Sequence, residues 1–211
     1  MTEHLRLAIV GGVAGGASAA ARARRLSEDA EIVMFERGEH ISFANCGLPY
    51  YIGGEIIDRD LLLVQTPEAM HDRFRINVRT RTEVTGIDRA ARRVRVRDVD
   101  SGAEESVPYD KLVLSPGARP VVPPLPGVDS PLVFTLRNLA DTDAIKGAVD
   151  GADHATAVVV GGGYIGLEMA EALRRRGLNV ILVELTGQVM APVDPEIAAH
   201  LHQHLDHHGV D

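Results

Sequence analysis

Cys46 is the single cysteine of the 211-residue chain, and it sits in the run Ser42-Phe43-Ala44-Asn45-Cys46-Gly47-Leu48-Pro49-Tyr50-Tyr51. One thiol cannot close an internal disulfide. As a thiolate it can attack sulfur, and a redox cofactor nearby could supply it with electrons. The other common fate of a free cysteine is burial as a small hydrophobe. The sequence just upstream bears on this choice, because it has the pattern of a nucleotide site.

Leu5-Arg6-Leu7-Ala8-Ile9-Val10 reads as a short apolar strand. Gly11-Gly12-Val13-Ala14-Gly15-Gly16 then turns it into an Ala-rich helix reaching about Leu26. Glycine suits a backbone that must turn tightly and approach a pyrophosphate at a helix N-terminus. A second strand, Glu31–Phe35, leads into Glu36 and Arg37, and a carboxylate there can accept hydrogen bonds from ribose hydroxyls. Val13 stands where the usual fingerprint has its middle glycine, and one such match is a weak signal. The pattern recurs. Ala157–Val160 leads into Gly161-Gly162-Gly163-Tyr164-Ile165-Gly166, a helical stretch from Leu167 to Arg176 follows, and the strand Asn179–Val183 closes on Glu184. Two such units predict two dinucleotides, one carrying flavin and one nicotinamide, and with them an electron path to Cys46.

The order of these motifs resembles the pyridine nucleotide-disulfide oxidoreductases, with an N-terminal FAD domain preceding an NAD(P)H domain. The segment Ser42–Tyr50 is similar to the single-cysteine branch that contains coenzyme A-disulfide reductase and NADH-dependent persulfide reductases. The resemblance runs from Leu5 to about Gly209, through Thr66-Pro67-Glu68, Tyr109–Ala118 and Thr135–Asp143. Two-cysteine relatives place their second thiol where Tyr51 stands, so the resemblance implies that Cys46 alternates between a thiol and a mixed disulfide, persulfide or sulfenic acid. Single-cysteine NADH oxidases and peroxidases are the rivals within the family. They usually carry a histidine where Ala14 stands and Ser-Cys-Gly-Met where this chain has Asn45-Cys46-Gly47-Leu48, which favours a coenzyme A-linked substrate. Outside that branch, a reductase of a protein electron carrier would keep both glycine loops without needing Cys46, and a redox sensor would keep Cys46 without steady turnover.

Residue by residue, the resemblance implies FAD contacts at Gly11, Val13, Ala14, Gly15, Gly16, Glu36, Arg37 and Asn45. It places Val84 near the adenine, and Ser115, Gly117 and Arg137 near the flavin. It implies nicotinamide-nucleotide contacts at Gly161, Gly163, Tyr164, Ile165, Gly166 and Glu184, with Tyr164 over the flavin and Glu168 beside that face. Glu184 favours NADH over NADPH, because a carboxylate would repel a 2′-phosphate. Ser18, Arg22, Arg25, Ser42, Asn45 and Arg73 are expected along the path of a coenzyme A disulfide or persulfide, whose phosphates suit guanidinium groups. Arg22, Arg24 and Arg25 also read as a solvated helix face. Phe74 stands where close relatives have lysine, which loosens the choice between disulfide and persulfide.

Composition narrows the class. Asp and Glu number 30 against 22 Lys and Arg, which disfavours a nucleic-acid or membrane-surface binder. The one N-terminal apolar run is used as a strand, so neither a signal peptide nor a spanning helix is expected, and a cytoplasmic setting fits the lone thiol. His200, His202, His204, His207 and His208 lie on a helix expected from Pro195 to His208. It reads as a solvated face, with no metal site expected.

Between the two nucleotide units, Thr82–Asp88 and Arg92–Val99 alternate as an antiparallel ribbon, with Val94 and Val96 inward and Arg93, Arg95 and Arg97 outward. Prolines from Pro116 to Pro131 mark a crossover. The expected fold is α/β: a Rossmann-type three-layer FAD domain over residues 1–118, a crossover and linking helix over 119–150, and a partial Rossmann-type NAD domain over 151–211. Family members continue well past this length, into a second FAD segment and a dimerisation domain. A homodimer is therefore expected for the full-length enzyme, and little or no activity for these 211 residues alone.

Overall fold

A computed structural model describes residues 4–152 and 155–211. The chain folds as two compact units, one formed by the described residues up to Ala44 with Leu63–Arg119, the other by Asn45–Leu62 with Pro120–Asp211. Each repeats the same opening theme.

In the first unit, β1 (Arg6–Val10), β2 (Glu31–Phe35), β3 (Ile76–Arg79) and β7 (Lys111–Leu114) form a parallel sheet ordered β3-β2-β1-β7. Strand alternation sorts its side chains onto two faces. Leu7, Ile9, Ile32 and Met34 pack with Ala17 and Ala20 of α1 (Ala14–Leu26) and with Met70 of α3 (Pro67–Phe74). Ala8, Val33 and Phe35 turn the other way, onto Val94, Val96 and Tyr109. That second face is covered by an antiparallel sheet of β4 (Thr82–Asp88), β5 (Arg93–Asp98) and β6 (Glu104–Pro108). Helix, parallel sheet and antiparallel sheet thus make the expected three layers. Arg95 and Arg97 lie exposed opposite the buried Val94 and Val96, as the alternation predicts.

In the second unit, β8 (Thr156–Val160) and β9 (Asn179–Val183) pair in parallel across α5 (Tyr164–Arg175). Met169, Ala170 and Leu173 of α5 share a core with Ile145 and Val149 of α4 (Leu139–Asp150), and with Val180, Val210 and Leu205, the last on α6 (Pro195–His207). Ile52 joins the same core, carried by the short α2 (Leu48–Gly53). Residues 45–62 therefore pack with the second unit rather than with their neighbours in sequence. Arg59 clasps Asp143 with two parallel N–H donors, 2.9 and 2.8 Å long, and Arg175 reaches Glu55 at 2.8 Å. The outward face of the strand pair, Val158, Val160, Ile181 and Val183, is exposed.

One expectation is corrected here. Arg24 belongs to no solvated face: it is 7% exposed, while Arg22 and Arg25 are exposed. Its guanidinium donates to the carbonyls of Phe74, Ser27, Glu28 and Arg75 at 2.7, 3.1, 2.6 and 2.9 Å. These are terminal carbonyls of α1 and α3 that have no partner within their own helices, which is what draws the charge inside.

Candidate active site

The first glycine loop is held by contacts that admit no side chain. Gly11 has φ +93°, its N–H donates to the Phe35 carbonyl at 2.8 Å, and a Cβ there would lie 2.0 Å from the Ser115 carbonyl oxygen. A Cβ on Gly16 would meet the Gly11 oxygen at 1.7 Å. The loop and the helix it opens thus approach to backbone contact, as tight strand-to-helix turns over a phosphate require. Glu36 anchors this loop: its Oε2 accepts from Gly12 N–H at 2.8 Å and its Oε1 from Gly38 N–H at 2.7 Å. Ser42, at φ +45°, donates its N–H to the Gly12 carbonyl at 3.0 Å.

The second loop repeats this wiring. Gly161, at φ +105°, donates to Val183 at 2.8 Å, and a Cβ on Gly166 would meet the Gly161 oxygen at 1.9 Å. Glu184 Oε2 accepts from Gly162 N–H at 2.6 Å, while its Oε1 accepts from the amide and hydroxyl of Thr186 at 2.8 and 2.9 Å. The Thr186 and Gly162 amides, with the Thr186 hydroxyl, hold the Glu184 carboxyl down to about 2. Met190, at φ +51°, donates its N–H to the Gly162 carbonyl at 2.7 Å. Thr186 is a site residue that sequence reasoning missed, although a hydroxyl two places after a strand-end acid is a readable signal for such a bond.

Both helices that follow the loops start without a side-chain cap and without an acid in their first turn. By contrast α3 and α4 are capped by the Thr66 and Asn138 side chains. An uncapped N-terminus leaves donors aimed outward, and the helix dipole adds to their pull on an anion. Ala14 and Gly15 are exposed at the first of these ends, and Gly163, Tyr164 and Ile165 at the second. These cradles fit the pyrophosphate of a dinucleotide.

The remaining candidates divide between the units. Ser18, Arg22 and Arg25 are all exposed, and at spacings of four and three on α1 they form one stripe. Arg73 is exposed on α3, with its guanidinium 5.2 Å from the Phe74 ring centre. Arg37 is exposed after β2, Val84 adjoins the β4 bulge, Ser115 leaves β7 bonded to Val10, and Gly117 follows at φ +70°. Asn45, Cys46 and Arg137 belong to the second unit. The Arg137 amide donates to Asp141 at 2.8 Å, at the start of α4. Cys46 lies in the 3-10 turn Asn45–Gly47 that leads into α2, and it is exposed, which sets aside the buried structural role. Beside it, Asn45 Oδ1 is buried and is the one such side-chain atom among the described residues without a hydrogen-bond partner. A buried acceptor in that condition fits a donor from a bound group. Among the described residues no set of three or more His, Cys, Asp or Glu is placed to hold a metal ion, and no helix is long and apolar enough to cross a membrane.

Residues 5–211 match the pyridine nucleotide-disulphide oxidoreductase family. The chain belongs to that family. It is 41% identical over 201 residues to the coenzyme A disulfide reductase of Staphylococcus haemolyticus, a match covering 95% of this chain and 45% of that protein. The chain thus spans about half the length of the curated relatives it matches. Among solved structures, reduced CoADR-RHD of Bacillus anthracis superposes with a TM-score of 0.95 at 51% identity, over 99% of this chain and 38% of that one. The NAD-dependent persulfide reductase of A. fulgidus gives 0.93 at 36%, covering 98% and 39% of the two chains. The water-forming NADH oxidase of Lactobacillus brevis gives 0.91 at 33%, covering 98% and 46%. All three are FAD/NAD(P)-binding Rossmann-type folds, in agreement with the α/β architecture described above.

Proposed function

We propose that this chain carries the dinucleotide loops and the redox cysteine of an FAD-dependent oxidoreductase that uses NADH to reduce coenzyme A disulfide or a coenzyme A persulfide. Cys46 carries the reading: it is a lone, exposed thiol with Tyr51 at the partner position, in a chain with two dinucleotide cradles. Gly11, Val13, Ala14, Gly15, Gly16, Glu36 and Arg37 would hold FAD, with Asn45, Val84, Ser115, Gly117 and Arg137 as further contacts. When bound, FAD supplies the two-electron relay between a nicotinamide hydride and sulfur. Gly161, Gly163, Tyr164, Ile165, Gly166 and Glu184 would bind NADH, and the fixed Glu184 carboxylate would accept ribose hydroxyls and repel a 2′-phosphate.

Cys46 Sγ, as thiolate, would attack one sulfur of the substrate disulfide. Its S–S bond breaks, one thiolate leaves, and Cys46 is left in a mixed disulfide. Two electrons and a proton then free the second thiol and restore Cys46. With a persulfide, the attacked atom is the outer sulfur and the leaving group is the coenzyme A thiolate. The stripe of Ser18, Arg22 and Arg25, with Ser42 and Arg73, would steer the anionic substrate, since guanidinium forks match phosphate oxygens. A homodimer in the cytoplasm is the expected setting.

Cys46→Ser, made in a protein carrying this chain at its relatives' full length, should abolish NADH-dependent thiol release from coenzyme A disulfide while FAD stays bound and NADH still bleaches it. Near-normal turnover by that variant would remove Cys46 from the reaction. Oxygen consumption without thiol release by the unaltered protein would assign it to the oxidases. Glu184→Arg should shift the kcat/KM ratio toward NADPH, and an unaltered protein that already prefers NADPH would contradict the role given to Glu184.

A further inference from the structure

The second glycine loop rests on a segment that lies outside its motif. Gly162 is gripped at both backbone atoms, by Glu184 at its N–H and by Met190 at its carbonyl, and a Cβ on it would come within 2.9 Å of the Val189 side chain. Val189 and Met190 are therefore the seat on which the loop lies, and both are buried. Met190 holds a left-handed backbone at φ +51° that a side chain disfavours, so the seat needs outside support. Part of that support is local: the Thr186 hydroxyl, 2.9 Å from both Glu184 Oε1 and the Gln188 carbonyl, shares its one proton between them, and Gln188 Nε2 donates to the Val193 carbonyl at 2.8 Å. The Val189 N–H, however, is taken by a side chain from another element, His202 Nε2 on α6, at 3.1 Å. An amide can only donate, so Nε2 accepts and the ring is the neutral tautomer with its proton on Nδ1. α6 itself is fixed to the core by Ala198 and Leu205.

We propose that His202 is a positioning residue for the second dinucleotide loop, acting through Val189 and Met190 to hold Gly162 at the height from which the loop amides meet a pyrophosphate. The proposal rests on the reading that Gly161–Gly166 binds NADH. His202 is exposed like the other four C-terminal histidines, and its bond to the Val189 amide is what sets it apart from them. His204 and His208 instead lie against each other, with ring centres 4.2 Å apart and planes tilted by 42°, and His208 Nδ1 lies 2.8 Å from the carbonyl of His204.

Two variants in the full-length protein separate positioning from bulk. His202→Leu keeps volume but offers no acceptor, and His202→Gln places an amide oxygen at about the reach of Nε2. The leucine variant should raise KM for NADH roughly 3- to 10-fold with kcat little changed, the size expected when one bond to a buried amide is lost. The glutamine variant should bring KM back to within about twofold of the parent. Amide exchange in the same proteins should be faster at Val189 and Met190 in His202→Leu and not in His202→Gln. An unchanged KM in His202→Leu, a glutamine variant as impaired as the leucine one, or a fall in kcat at constant KM would each overturn the proposal. If the parent failed to bind NADH while Val189 stayed protected, the dinucleotide reading itself would fall, and the proposal with it.

Discussion

The two glycine loops are the same device built twice and braced differently. Each turns a strand into a helix through a left-handed glycine, each ties its second glycine to the acid ending the next strand, and each seats that glycine's carbonyl on the amide of a non-glycine residue at positive φ, Ser42 in one and Met190 in the other. Even the ends of the two helices correspond. Arg24 closes α1 and Arg174 closes α5, both donating to carbonyls of their own helix end and of a distant segment. The difference lies in what surrounds them. The first loop is enclosed by β7, whose exit at Ser115 presses on Gly11, whereas among the described residues nothing lies within 4 Å of the Cβ position of Gly161. Within these residues the glycine geometry and the tie to the acid are common to both loops, while the enclosing strand belongs to the first. The enclosing strand adds rigidity to the first loop, and in the second a side chain from α6 supplies the brace.

The sharpest way to break this comparison is to add one methyl group to each loop. Gly11→Ala must both adopt φ +93° and displace the Ser115 carbonyl, which is backbone just past β7, held by the Ser115 N–H bond to Val10, and cannot swing aside. A loss of more than about 3 kcal/mol is expected, seen as a collapsed thermal midpoint or insoluble protein. In the 211-residue chain Gly161→Ala faces, among the described residues, only its backbone conformation, at about 1–2 kcal/mol. Equal losses from the two would show that β7 does not brace the first loop.

The paired arginines give a smaller contrast. Arg24→Met strips four carbonyls of a buried partner and should cost about 2–3 kcal/mol. Arg174→Met loses bonds to Leu178 and His208 on a less buried side chain, at about 1 kcal/mol. Arg22→Ala and Arg25→Ala should stay within about 0.5 kcal/mol in stability, because both are exposed. Urea midpoints for the four variants order these effects, and an Arg22 variant as unstable as the Arg24 one would refute the clamp.

Much of this was legible in sequence because it is local. The strand, glycine loop, helix, strand and acid series fixes β1, α1, β2 and β8, α5, β9 within about three residues, the start of α5 at Tyr164 being the largest departure, and alternation around Val94 and Val96 fixes β4 and β5. What escaped depends on distant partners. Strand β6 is Glu-Glu-Ser-Val-Pro, a poor strand sequence, and it is extended because β5 pairs with it. That Arg24 is buried while its neighbours are wet follows from the end of α3, some 50 residues away. The grouping of residues 45–62 with the second unit follows from Ile52 finding its core there. At the site, the acids were read as ribose acceptors, and their hold on the loop amides became visible only with the backbone in place. The cap of α3 at Thr66-Pro67-Glu68, read in sequence only as part of the family resemblance, is local and carries the residue types of a helix start.

The mildest contrast concerns acid. Glu184 in the second unit and Asp110 in the first are both held at about 2, Glu184 by the Thr186 and Gly162 amides and Asp110 by the side chain and amide of Arg6. Both carboxyls are depressed from their ordinary values of 4.5 and 3.8, so each stabilises its unit above that value and loses the contribution as pH falls toward 2. The second unit should begin to weaken at the higher pH, because the Glu184 window opens at 4.5 and the Asp110 window at 3.8. Thermal midpoints of the Glu184→Gln and Asp110→Asn variants, taken from neutral pH down to about pH 2, should each lie below the parent at neutral pH and converge on it in acid, the first from the higher pH. Both groups are only half-buried, and salt will blunt the slopes. Should Glu184→Gln follow the parent at a constant offset through that range, the carboxylate's bonds to the loop amides would not be a source of stability, and the parallel with Glu36 would reduce to one of shape.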